Sequence, residues 1–362
     1  MANASLQVGL IGYGYAGRTF HAPLICATPG LALVAVGSRD TVKVRRDLPD
    51  VAVMSADDVV HATDVEVVVI ATPNHTHAPL AVAALRAGKH TVVDKPFAVT
   101  LDEARAIVRV ADDQRRIVTV FQNRRWDSDF LGVRALIASR VLGEVTYFES
   151  HIDRYRPEVR SRWREEPGPG AGLWYDLGPH LADQALLIFG LPSAVLGVLR
   201  MQRHGARTDD WAHVILDYET CRVILHASLL SAARLPRFIV HGPAGSWVKY
   251  GIDVQEQQLV ARLRPGDAGW GEDDDHALLF DSSGVAREMK VPRGDYCQFY
   301  LQFRDAVAGA APNPVPPPQA IAVMAVVKTA IQSSTAGRAL PLSLTDDERR
   351  AFEASVAGGS AR

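Results

Sequence analysis

Two aspartates and a histidine stand at 176, 180 and 183, in the run Asp176, Leu177, Gly178, Pro179, His180, Leu181, Ala182, Asp183. The spacings of four and three residues would bring all three side chains to one face of a helix, with neighbours about 5–6 Å apart. A base, a carboxylate that tunes it and a second polar anchor would then share one pocket. A plainer alternative is a helix start, with Asp176 as the cap, Pro179 in the first turn where its missing N–H costs nothing, and His180 as a core histidine. Far upstream, Lys95 precedes Pro96. The proline biases Lys95 away from helical backbone and holds the segment extended, which can aim the amine rather than leave it in solvent. A histidine and a cationic amine are what abstraction of a hydroxyl proton would require.

The elements that position these groups begin with the apolar run Leu6–Ile11, which leads into Gly12, Tyr13, Gly14, Tyr15, Ala16 and Gly17. This reads as strand, glycine loop and helix. Gly12 permits the tight turn, Gly14 lets backbone approach a pyrophosphate, and Gly17 allows close helix packing, with the helix N-terminus stabilising the phosphate charge. A second apolar run at 31–36 arrives about twenty residues after the loop, where a ribose-reading residue belongs. It ends in Gly37, Ser38, Arg39 and Asp40. An NAD enzyme usually places an acid directly after this strand, and here Ser38 holds the place. A serine hydroxyl and a planar guanidinium suit a 2′-phosphate, so Ser38 and Arg39 favour NADP. NAD stays open: were the strand to end later, Asp40 would become the ribose ligand and Arg39 a surface charge.

Two further buried-strand patterns, at 66–71 and 91–93, run into Thr72, Pro73, Asn74, His75, Thr76, His77 and into Asp94, Lys95, Pro96. Ligands in such folds bind beyond the carboxyl ends of the strands, so Thr72, Asn74, His77 and Lys95 are expected at the cofactor. His75 and His77 lie two apart, share no helical face and lack a carboxylate or cysteine set, so no metal site is expected. With a hydride acceptor implied, the proton arithmetic can be set out. A polyol hydroxyl has a pKa of about 15.7 like water and histidine about 6.5, so full deprotonation first would cost about 12 kcal/mol at about 1.36 kcal/mol per unit. The proton must therefore leave as hydride departs, or Lys95 must stabilise the oxygen.

These motifs together resemble the glucose-fructose oxidoreductase / inositol dehydrogenase (Gfo/Idh/MocA) family over nearly the whole chain: the glycine loop at 12–17, the segment from Ala71 to His77, Gly88, Lys89 and His90 leading to Asp94, Lys95 and Pro96, and the segment from Asp176 to Asp183. The resemblance implies a catalytic set of Lys95, Asp176 and His180, with Asp183 as a substrate hydroxyl ligand. One departure is Asp94, where the family usually has Glu; the shorter carboxylate bears on the placement of Lys95. The run from Phe121 to Asp127, then Arg162, Trp163 and Arg164, is most similar to the NADP-dependent scyllo-inositol dehydrogenase branch. Arg125 and Trp163 are candidates on the substrate side, and Tyr13, in the glycine loop, and Asn123 on the cofactor side. The family also contains glycosidases that use a tightly held nicotinamide cofactor and ligand sensors without catalysis, which stand as alternative activities on the same scaffold.

At 362 residues the chain is long for one domain, and about 100–200 residues per domain suggests two. The expected division is a dinucleotide-binding Rossmann domain over 1–123 and a substrate-binding and oligomerisation α+β domain over 124–362. Arg124 and Arg125, just past the boundary, could meet phosphate or substrate, or begin a solvated helix. Beyond them, period-two alternation at 144–151, 211–219, 222–228 and 237–241 predicts a large, mostly antiparallel open sheet. The helix carrying His180 should cover one face and stop at Gly190; the other face should bury against a second copy, as a homodimer or homotetramer. The acidic, glycine-rich stretch 266–275 reads as a mobile loop, and the proline run at 312–318 as a stiff connector into a helix over 319–336. The cysteines Cys26, Cys221 and Cys297 show no paired spacing and read as small buried hydrophobes. A net charge of −2 leaves no footprint for nucleic acid. No membrane-length apolar run and no basic region before an apolar run are present, so a cytoplasmic protein is expected.

Overall fold

The computed structural model describes residues 5–357. Its strands are β1 (Leu6–Ile11), β2 (Leu31–Gly37), β3 (Ala52–Met54), β4 (Val67–Ile70), β5 (His90–Val93), β6 (Val118–Val120), β7 (Tyr147–Asp153), β8 (Ala194–Arg200), β9 (Trp211–Asp217), β10 (Arg222–Ser228), β11 (Pro236–Gly242), β12 (Gly245–Tyr250), β13 (Ala277–Asp281) and β14 (Ala286–Met289). The helices are α1 (Ala22–Ala27), α2 (Thr41–Asp47), α3 (Ala56–His61), α4 (His77–Arg86), α5 (Leu101–Gln114), α6 (Ser128–Ser139), α7 (Leu173–Phe189), α8 (Gln255–Val260), α9 (Cys297–Val307), α10 (Pro317–Ala336) and α11 (Asp346–Ala357).

Two compact units divide the chain. The first is built on a parallel sheet of order β3-β2-β1-β4-β5-β6. β4 is buried at all four positions, as a central parallel strand covered on both faces must be. Reversal of the strand order between β1 and β4 opens the carboxyl-end crevice where nucleotides bind in this architecture. Reciprocal side-chain caps start two of its helices, Ser55 with Asp58 at α3 and Thr100 with Glu103 at α5. This unit holds the chain up to Asn123 and also Gln255–Trp270 and Asp295–Ala320, segments that the expected division gave to the second domain. Long-range packing such as α1 on α9 draws them in, and strand and helix patterns carry no trace of it.

The second unit is an eight-stranded sheet of order β14-β13-β12-β11-β7-β10-β9-β8. Every neighbouring pair is antiparallel except β7 with β10. α7 packs on β7, β9 and β10, covering one face. The alternation in β7 and β9 is regular: Phe148, Ser150, Ile152, Ala212, Val214 and Leu216 are buried, and the residues between them are half-buried. The stretch expected as a mobile loop is anchored over its second part. The Asp273 carboxylate, 2% exposed, meets the buried Lys249 amine at 3.1 Å and accepts from the Ser128 hydroxyl at 3.0 Å. Acidic composition alone could not distinguish this buried ion pair from a solvated loop.

Candidate active site

In the first unit, candidate residues stand at successive strand ends. Gly12, after β1, has φ +99°, and an added Cβ would run into the Ala71 carbonyl at the end of β4. At Gly17 a Cβ would run into the Gly12 carbonyl, so the helix can approach the loop only because Gly17 has none. A Cβ at Gly14 meets nothing within 4 Å. That open space at an exposed loop followed by a helix start fits a pyrophosphate. The Tyr13 ring is buried, which with the charge of Asp47 pushes its phenol up to about 12. The phenol therefore stays protonated at neutral pH. Its carbonyl accepts from the Lys43 amine at 3.0 Å, which places beside the glycine loop a cation that the sequence reading had not singled out.

After β2, Ser38 is half-buried and Arg39 exposed. Asp40 is the N-cap of α2, its carboxylate accepting from the Lys43 N–H at 3.0 Å, and its own N–H donates to the Ser38 hydroxyl at 3.1 Å. The residue that kept the ribose-ligand alternative open thus has a structural task. After β4, the Thr72 and Thr76 hydroxyls pair at 2.6 Å, and Asn74 is buried. His77, expected at the cofactor, makes its ring contacts within the protein. It is 1% exposed, and its ring nitrogens lie 2.8 Å from the Pro96 carbonyl and 2.9 Å from the Thr72 carbonyl. The imidazole ties the loop after β4 to the loop after β5.

Lys95 follows β5, half-buried, and joins Pro96 through a cis peptide. The Asp94 carboxylate accepts from the Lys95 N–H at 2.8 Å and lies 3.9 Å from His21 Nε2, while His21 Nδ1 meets the Tyr300 hydroxyl at 2.6 Å. Burial works to raise the Asp94 pKa, but His21, Lys95 and His77 together hold it below the usual carboxylate value. Burial and the charge of Asp94 push the Tyr300 hydroxyl well up. The short carboxylate in place of the family's Glu is thus spent on its own turn and on a buried His21–Tyr300 chain. Asn123, after β6, is 5% exposed.

The second unit carries the other candidates. α7 starts at Leu173, earlier than a cap at Asp176 would place it, so Asp176 lies in its first turn and Pro179 inside it. The cap comes from elsewhere: the Asp209 carboxylate accepts from the Trp174 N–H at 2.7 Å, and its carbonyl accepts from the Leu173 N–H at 2.9 Å. Burial pushes Asp209 up to about 6 against the pull of these N–H groups. At Gly178 a Cβ would strike the Trp174 indole, whose N–H donates to the Val327 carbonyl at 3.1 Å. Gly178 therefore serves packing, and His180 lies two residues on at 5% exposure.

Asp183 is 2% exposed and takes Arg125 in a fork, with Nε at 2.8 Å and Nη2 at 2.6 Å. The two residues expected on the substrate thus meet each other. The Gln184 amide donates to the Arg124 carbonyl at 2.8 Å and accepts from Arg237 at 2.8 Å, while Arg124 pairs with Asp127 at 3.0 Å. Arg124 and Arg125 are buried ion-pair members, not a solvated helix start. Trp163 connects to the set through its neighbour: the Arg164 guanidinium lies 4.4 Å from the Trp163 ring centre and 3.5 Å from the Asp176 carboxylate. Asp209 escapes a sequence reading because only tertiary packing brings it to α7, and Gln184 because its partners Arg124 and Arg237 lie far off in sequence.

Residues 6–122 match the family model described as oxidoreductase family, NAD-binding Rossmann fold, and residues 134–344 match that of its C-terminal alpha/beta domain. The chain belongs to the Gfo/Idh/MocA oxidoreductase family. Among this oxidoreductase's relatives, the uncharacterized oxidoreductase YdgJ of Escherichia coli is 50% identical over 91% of this chain and 96% of its own. The scyllo-inositol 2-dehydrogenase (NADP(+)) IolW of Bacillus subtilis is 35% identical over 93% of this chain and 96% of its own. A crystal structure from Klebsiella pneumoniae superposes with a TM-score of 0.93 at 50% identity, covering 98% of this chain and 100% of that one. The chain is therefore an oxidoreductase with a nicotinamide-cofactor domain. Among the described residues, no helix is long and apolar enough to cross a membrane.

Proposed function

We propose that this oxidoreductase transfers hydride between NADP(H) and a secondary hydroxyl or ketone of a cyclic polyol or sugar, with a scyllo-inositol-like ring as the first candidate. The observation that carries the reading is α7, which seats His180 four residues after Asp176 and three before an Asp183 locked by Arg125. The nicotinamide, when bound, supplies the hydride acceptor or donor. His180 takes the hydroxyl proton as hydride leaves and returns it in reduction. Lys95 stabilises charge on the oxygen, so that the histidine never has to generate a free alkoxide. Asp176, one helical turn before His180, orients the imidazole.

Ser38 and Arg39 support NADP, as does the capping role of Asp40, and the similarity to IolW points the same way. The outer face of the second sheet, with Ile215, Ile224, Ile239 and Val248 half-buried, supports a homodimer or homotetramer formed there. Purified protein mixed with NADP or NAD and a panel of inositol isomers, aldoses and sugar acids tests the reading by nicotinamide absorbance. Steady NADPH formation with one polyol, much slower with NAD, is expected. Saturable NADP binding without turnover on any of them would contradict it.

A further inference from the structure

On the face of the second sheet opposite the positions packed under α7, three histidines stand abreast. β7 and β10 run parallel with His151 beside His226, and β10 and β9 run antiparallel with His226 beside His213. The ring centres are 5.0 Å apart for the first pair and 5.4 Å for the second. Asp153 lies two residues beyond His151 on the same face of β7. We infer that His151 Nδ1, the Asp153 carboxylate and His226 Nε2 form a binding site for one divalent transition-metal ion per chain.

Distance supports this first. His151 Nδ1 is 3.3 Å from one Asp153 oxygen, His226 Nε2 is 3.6 Å from the other, and the three donor atoms lie within 4.8 Å of one another. Zinc bonds of about 2.0–2.1 Å in tetrahedral array separate adjacent ligands by about 3.4 Å, so each imidazole nitrogen already stands at about that distance from one oxygen of the carboxylate between them.

Asp153 Oδ1 is the second support: it is buried and accepts no hydrogen bond. A buried carboxylate oxygen left in that state is costly, and a cation between the two rings would satisfy it. The outer contacts are the third. His151 Nε2 meets a Glu149 oxygen at 2.8 Å, and Glu149 also accepts from the Tyr147 hydroxyl. A carboxylate on the far nitrogen fixes the tautomer that turns the Nδ1 lone pair inward, as behind many metal-binding histidines. His226 Nδ1 meets His213 Nδ1 at 3.2 Å, which can accept the remaining imidazole proton.

Two imidazoles and one carboxylate suit zinc, cobalt, nickel or ferrous iron, and neither the all-oxygen demand of calcium and magnesium nor the thiolate preference of cuprous ion. The side chains of His151, Asp153 and His226 are 16%, 9% and 13% exposed in the single chain, enough to admit an ion. No sequence spacing reveals the set, because His226 lies on a different strand from His151 and Asp153, far along the chain.

The test uses the full chain without a histidine tag, stripped with chelator and titrated with cobalt(II) while its visible d–d absorption is followed. Saturation at one equivalent, displacement by zinc, and about a 100-fold or greater loss of affinity in His226→Ala and Asp153→Asn are expected. Glu149→Gln, which keeps the shape of the outer contact, should weaken binding about 10–100-fold. Circular dichroism of each metal-free variant checks the fold; should His226→Ala misfold, Asp153→Asn and Glu149→Gln decide. Absence of saturable binding to the unaltered protein, or equal binding by the folded variants, would overturn the inference.

Discussion

At the scale of single residues, His180 and Arg125 make opposite predictions. His180→Ala removes a proton acceptor and should lower turnover by about 10²–10⁴-fold while NADP affinity persists. Cofactor titration by fluorescence beside steady-state rates checks this, and loss of NADP affinity would assign His180 to structure. Arg125→Ala leaves the buried Asp183 carboxylate without its fork, a loss of about 3–5 kcal/mol that should appear as a lower unfolding midpoint whatever the effect on rate. Arg39→Ala should raise the KM for NADP by about 10–100-fold, the loss of one charge-assisted hydrogen bond, and leave that for NAD nearly unchanged. The glycine loop and the Lys-Pro and Asp-x-x-x-His spacings were legible in sequence because each is local. The task of His77 was not, because the Pro96 carbonyl that it holds lies nineteen residues on and its type is equally suited to a ligand contact.

Among the elements, α7 matters most, and its start is set by a residue far along the chain. Asp209 holds the first N–H groups, and burial pushes its carboxyl up to about 6. The folded pKa lies above the unfolded value, so between about pH 4 and pH 6 the folded protein binds more protons, and this group's contribution to stability falls as pH rises through that window. Asp209→Asn keeps a capping oxygen without the titration. The difference in melting temperature, variant minus wild type, should therefore increase from pH 4 to pH 6 and level off above it; thermal melts across that range measure it. β1, β2, β4, β5, β10 and the end of α7 at Gly190 follow from apolar runs and their breakers. β3, β13 and β14, short strands near sheet edges, carry too few alternating positions to announce themselves. β8 and β12 are longer, but their mixed small, polar and apolar residues give no clean period.

For the whole molecule, fold class was readable because two textures, buried parallel runs and alternating strands, occupy successive stretches of the chain. The return of Gln255–Trp270 and Asp295–Ala320 to the first unit was not, since it rests on packing between segments distant in sequence. If a second copy covers the outer sheet face, Ile224→Glu should lower the assembly state seen by light scattering, because a charge would replace a half-buried branched side chain. The central claim is that hydride passes from a polyol carbon to NADP. Its most direct test is to mix the protein with NADP and scyllo-inositol deuterated at its ring carbons and weigh the reduced cofactor by mass spectrometry. The account predicts NADPH that carries one deuterium, formed steadily with turnover. Saturable NADP binding with no labelled product from this or any other deuterated cyclic polyol or sugar, or cleavage of an aryl glycoside with no net cofactor reduction, would contradict it.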